Sequence, residues 1–145
     1  ALMMRWGLVT DFNISRKEER IVPMLFVSLL YNGLNLFVFN KTLIDDLFVN
    51  IIYMMSAIMA ITVVITWFWK ISAHTIGMGA LSILLIILNQ LTPSNALLVL
   101  IMLTIILSGV VMTSRLYLKA HTWKQVCWGY IFGIFCGGFG GILIF

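Results

Sequence analysis

Long apolar runs, each close to the length of a bilayer crossing, limit what this chain can fold into more than any other feature. The run "IIYMMSAIMAITVVITWF" is one of five. A membrane-spanning helix needs about 20 mainly apolar residues. Residues 21–39, 47–68, 75–89, 96–113 and 126–145 meet or approach that length, and the third is expected to begin inside the loop that holds His74. Composition agrees, with 62% of residues hydrophobic and 10% charged, where a soluble domain carries about 25% charged residues. So much apolar surface cannot be hidden in a core of its own, so its solvent must be lipid. The expected fold is all-α, a polytopic transmembrane helical bundle with about five spans. Residues 21–145 are expected to form the bundle and residues 1–20 a polar interfacial lead-in. The opening "ALMM" reads like the tail of a helix, so one upstream span is expected to precede it, and no signal peptide is visible.

The breaks between runs are "NKTLIDD", "WKISAH", "NQLTPSN" and "SRLYLKAHTWKQ". Pro93 is predicted to end the third helix, with Ser94 or Asn95 capping the fourth. Counting crossings puts the lead-in, "WKISAH" and "SRLYLKAHTWKQ" on one face of the membrane. That face carries Arg5, Arg16, Lys17, Arg20, Lys70, Arg115, Lys119 and Lys124, together with His74 and His121. The opposite face carries Lys41 beside Asp45 and Asp46. Such asymmetry follows the positive-inside rule and predicts a cytoplasmic histidine face, in a bacterial inner membrane. It also suits a site that gathers cations around an anion. A net charge of +4 could suggest nucleic acid in a soluble protein. Here the cations flank apolar runs, so lipid headgroups are the expected partner and nucleic acid is not.

Gly129, Gly133, Gly137 and Gly141 recur every four residues in the last run. Small residues at that spacing let helices approach closely, within the bundle or against a partner in a membrane complex. Asn32, Asn35, Asn50 and Asn89 are expected to hydrogen-bond inside the bundle. The "WFW" run at 67–69 and Trp123 are expected to anchor the interface. Cys127 and Cys136 lie nine residues apart in one run, a spacing that does not favour a disulfide between them.

Two histidines on one face, each beside a serine and a cation, point to phosphate chemistry. "KISAHT" supplies Lys70, Ser72 and His74, and "SRLYLKAH" supplies Ser114, Arg115 and His121. Lys17 and Arg20 add charge from the lead-in. Arginine binds phosphate oxygens bidentately and lysine binds them as a point charge. One histidine can attack phosphorus while a second protonates the leaving oxygen.

The spacing Ser114-Arg115-x5-His121-x3-Gln125 resembles the third signature of the membrane type 2 phosphatidic acid phosphatase superfamily. "ISAH" at 71–74 is similar to its second signature, Pro-Ser-Gly-His. Lys17, Arg20 and Pro23 in "KEERIVP" loosely resemble the first, a lysine followed at a distance by Arg-Pro. The resemblance covers most of the chain. It implies hydrolysis of lipid phosphates or diphosphates through a phosphohistidine, with no metal and no cofactor. His121 would be the nucleophile and His74 the acid for the leaving group. Arg115, Ser72, Ser114 and the backbone at Ala73 would hold phosphoryl oxygens, and Lys17, Arg20 or Lys70 would supply further charge.

This sequence departs from the family in three places. Gln125 stands where the family has aspartate, Ala73 stands where it has glycine, and the first signature is incomplete. An amide oxygen one turn beyond His121 can fix the ring's tautomer but cannot stabilise imidazolium as a carboxylate does; in serine proteases losing the acid costs about 10⁴ in rate. The alternative expectation is therefore a non-catalytic phosphatase-like protein, a structural subunit of a larger membrane complex, docked through the Gly129/Gly133/Gly137/Gly141 face.

Overall fold

A computed structural model of the chain describes residues 17–39 and 46–144, and the side chains of 21–37 and 46–144 within them. Among these residues the protein is all-helical. The helices are α1 (Lys17–Phe39), α2 (Asp46–Phe68), α3 (Ala73–Leu91), α4 (Asn95–Tyr117) and α5 (Trp123–Ile144). The last four are long and apolar enough to cross a membrane, and α1 carries the apolar stretch Ile21–Phe37. This is an integral membrane protein. Arg5 and Arg16, with Lys41 and Asp45 of "NKTLIDD", lie outside the described residues.

The helices run a few residues beyond the apolar cores. α3 begins at Ala73, so His74 is helical, and α4 continues through Ser114 and Arg115 to Tyr117. Helix ends extend into polar sequence because the backbone is still best satisfied by its own turn. At the α3–α4 corner Ser94 is the N-cap, its hydroxyl accepting from the Ala96 N–H at 3.3 Å. The Asn89 Oδ1 accepts from the Ser94 N–H at 3.2 Å.

The chain divides into two compact units between Lys70 and Ile71. In the first, α1 and α2 pack antiparallel, and the Thr66 hydroxyl near the end of α2 donates to the Met24 sulfur near the start of α1 at 3.8 Å. Thr62 and Thr66 are fully buried and donate to the carbonyls one turn back, Ile58 and Thr62, at 2.7 Å. Asn32 does the same to Ser28 at 2.8 Å. The asparagines thus differ from the expected glue. Asn32 turns to its own helix, where an acceptor lies nearest, Asn50 is exposed, and Asn35 is buried with neither amide atom bonded among the described residues.

The second unit is built on α3 against α5. Gly129 faces Thr75 and the Ser72 carbonyl, Gly133 faces the Ile76 carbonyl, Gly137 faces Ala80, and Gly141 faces Ile87. Both numbers rise together, so α3 and α5 run parallel, with α4 returning between them in sequence. A Cβ on Gly137 would sit 2.7 Å from the Ala80 Cα. From the other side Gly79 faces the Tyr130 carbonyl. Without a hydrophobic drive between helices in lipid, this close van der Waals approach holds the pair. The Tyr130 hydroxyl adds a hydrogen bond across it, donating to Ser82 at 3.2 Å. The glycine face that could have served a partner is therefore occupied by α3 of the same chain.

Candidate active site

Parallel α3 and α5, joined through α4, bring three helix ends to one end of the second unit: the starts of α3 and α5 and the finish of α4. Helix starts expose unpaired N–H groups and positive dipole ends, which favour an anion. Five of the ten expected site residues lie on these ends, Ser72 caps one of them, and His121 lies in the link between two of them.

Ser72 is the N-cap residue of α3, with φ −90° and ψ 103°. A serine there ordinarily accepts a bond from the first turn. This one does not. Its side chain is fully buried and its hydroxyl has no hydrogen-bond partner among the described residues. Its carbonyl is engaged by the Ile76 N–H at 3.1 Å and the Thr75 hydroxyl at 2.9 Å. Gly129 lets this turn press onto α5, because any Cβ there would land on the Thr75 hydroxyl. Ala73 follows half-buried, and His74 is exposed in the first turn of α3.

Arg115 sits in the last turn of α4, where a cation complements the helix dipole. Its Nε is buried and has no partner among the described residues. Leaving such donors unmet costs about 1–3 kcal/mol each, so a buried hydroxyl and a buried guanidinium nitrogen without partners at one end of the unit are an observation in need of a reason. Ser114 differs. It is exposed, and its hydroxyl donates to the Val110 carbonyl of its own helix at 2.7 Å.

His121 follows the turn and is buried, only 8% exposed. Its Nδ1 lies 3.2 Å from the Gln125 Oε1. The expected contact one turn on is present. Gln125 is also held by Thr122, a residue the sequence reading passed over. The Thr122 N–H donates to the Gln125 Oε1 at 3.1 Å, and the Gln125 N–H donates to the Thr122 hydroxyl at 3.5 Å. This reciprocal pair is a capping box, and its signal, Thr-x-x-Gln at a helix start, was there to be read.

Lys70 is half-buried in the link that precedes Ser72, and Lys17 and Arg20 fall in the first turn of α1. All three belong to the first unit. Among the described residues no group of three or more His, Cys, Asp or Glu side chains could hold a metal ion.

Residues 22–141 match the family model described as PAP2 superfamily. No curated protein and no solved structure gives a match.

Proposed function

The chain belongs to the PAP2 superfamily, and from that premise we propose that it hydrolyses lipid phosphates or diphosphates through a phosphohistidine on His121. The observation that carries this reading is the pair of buried, unpartnered donors, the Ser72 hydroxyl and the Arg115 Nε. They share one end of the second unit with a buried histidine whose ring is already oriented. Phosphoryl oxygens are the acceptors that would satisfy both donors at once.

In the first step the His121 Nε2 lone pair attacks phosphorus. The P–O bond to the lipid breaks, and its electron pair leaves with that oxygen, which takes a proton from His74. In the second step His74 removes a proton from water, whose oxygen attacks phosphorus as the P–N bond breaks. Free phosphate leaves and Nε2 regains its lone pair. Ser72, Arg115 and the N–H groups at the start of α3 hold the charge that grows on the phosphoryl oxygens. Lys17, Arg20 and Lys70 belong to the other unit and are given no step, and Ser114 is assigned a polar rim. The reading takes residues 21–145 as the phosphatase-like bundle and 1–20 as an interfacial lead-in. The excess of cations on the histidine side supports a cytoplasmic orientation, in a bacterial inner membrane.

One observation favours the second reading, a non-catalytic subunit. Gln125 already has a structural task in the capping box and brings no negative charge.

Phosphate release from purified protein in detergent, over a panel of lipid phosphates and diphosphates, separates the two. Release from the wild type that vanishes in His121→Ala, with the fold retained, is the expected result. No release on any lipid, together with a stoichiometric membrane partner on mild purification, would replace the enzyme reading with the subunit reading.

A further inference from the structure

The five residues between α4 and α5 are fixed at both ends. Behind His121, α4 closes with the Lys119 N–H donating to the Leu116 carbonyl at 2.9 Å and the Ala120 N–H to the Arg115 carbonyl at 3.2 Å. Lys119 adopts φ 50° to make that closure, the pairing of a Schellman motif. Ahead of His121, the capping box of Thr122 and Gln125 opens α5.

That box settles which end of the Gln125 amide faces the histidine. A backbone N–H can only donate, so the atom 3.1 Å from the Thr122 nitrogen is the amide oxygen and not the NH₂ group. The same oxygen lies 3.2 Å from the His121 Nδ1. Two acceptors do not bond to each other, so Nδ1 carries a proton, and in the neutral ring that leaves the Nε2 lone pair unprotonated.

We propose that Thr122 is a positioning residue: as N-cap of α5 it locks the Gln125 amide, which in turn holds His121 in the tautomer that keeps Nε2 unprotonated. The catalytic meaning of this lock rests on the phosphatase reading; the tautomer itself does not. Glutamine and glutamate are the residues a capping box takes at this position. Glutamate is therefore the charged replacement that keeps the geometry.

The test reads the imidazole nitrogens by NMR in ¹⁵N-histidine-labelled full chain in detergent micelles, in wild type, Thr122→Val, Thr122→Ser, Gln125→Leu and Gln125→Glu. The chain has two histidines, so a single His74→Gln sample assigns the signals. The expected result is an Nδ1–H tautomer for His121 in the wild type, kept in Thr122→Ser and Gln125→Glu. It gives way to a mixture with the Nε2–H form in Thr122→Val and Gln125→Leu. On the lipid that the wild type hydrolyses, Thr122→Val is expected to lower kcat about ten- to a hundredfold, the scale of a small misplacement, with KM nearly unchanged. An Nε2–H wild type overturns the proposal. So does a Thr122→Val spectrum identical to wild type when Gln125→Leu differs. A wild type that shows the Nδ1–H form yet releases no phosphate leaves the lock standing and removes only the phosphatase reading.

Discussion

The two helix starts that carry the histidines are alike in sequence and opposite in use. α3 opens on Ser72 with His74 inside its first turn, and α5 opens on Thr122 with His121 just before it. Each offers a hydroxyl at the N-cap. At α5 the hydroxyl takes part in a closed capping box, and the neighbouring histidine is buried and oriented. At α3 the hydroxyl is buried but makes no bond to its own helix, and the histidine is exposed. One start is finished by the protein. The other keeps a donor in reserve, which is the arrangement expected where a ligand completes the bonding. Under the proposed mechanism the fixed ring suits the nucleophile and the exposed one suits the proton donor to a departing lipid.

The largest effect should come from exchanging these roles. His121→Ala is expected to cost about 10⁴-fold or more in turnover on any substrate. His74→Ala should cost about 10²- to 10⁴-fold on a lipid phosphate, but much less on a nitrophenyl phosphate, whose leaving group needs no proton. Equal losses on both substrates, measured as phosphate release, would break the assignment of roles. Next comes Ser72→Ala. It should lower kcat/KM about 10²-fold, the scale of one lost donor to a developing oxyanion. Because that hydroxyl is unpartnered, thermal unfolding in detergent should show no loss of stability. A stability loss with normal activity would make Ser72 an ordinary cap.

Gly129→Ala attacks the contact that holds the two starts together. Its Cβ would meet the Thr75 hydroxyl and lie 3.0 Å from the Ser72 carbonyl. Overpacking of this kind costs about 1–3 kcal/mol, visible as a lowered unfolding midpoint, with activity falling in step. Gly109→Ala, where nothing lies within 4 Å of an added Cβ, is the control, expected to gain about 0.5–1 kcal/mol because alanine replaces glycine inside a helix. The smallest effect is expected for Lys119→Gly. A left-handed lysine carries a cost of about 1–2 kcal/mol. Glycine removes it but loses more backbone entropy on folding, so the net gain should stay below about 1 kcal/mol. The midpoint should rise slightly without a change in turnover.

Much of this was legible from the residues alone, and for a local reason. Whether a segment spans lipid depends on its own side chains, so the helices appear where the apolar runs lie. Their ends moved by a few residues, because backbone bonding and not hydropathy decides where a helix stops. The His121–Gln125 contact was legible because both residues belong to a single turn. Thr122 was overlooked although its signal is equally local. The glycine spacing announced a close approach but not its recipient. Asn35 shows the opposite limit: its type and place suggested a hydrogen bond that the described residues around it do not supply.

By itself the sequence determined a membrane-spanning helical protein with its histidines on one side, because hydropathy and crossing parity add up along the chain without knowledge of any neighbour. Only the tertiary structure decided that α3, and no outside partner, fills the glycine face of α5. It alone decided that Ser72 is buried with an unspent hydroxyl while Ser114 spends its own on Val110. Burial and unmet hydrogen bonds are properties of what surrounds a group, and those surroundings exist only once the helices have packed.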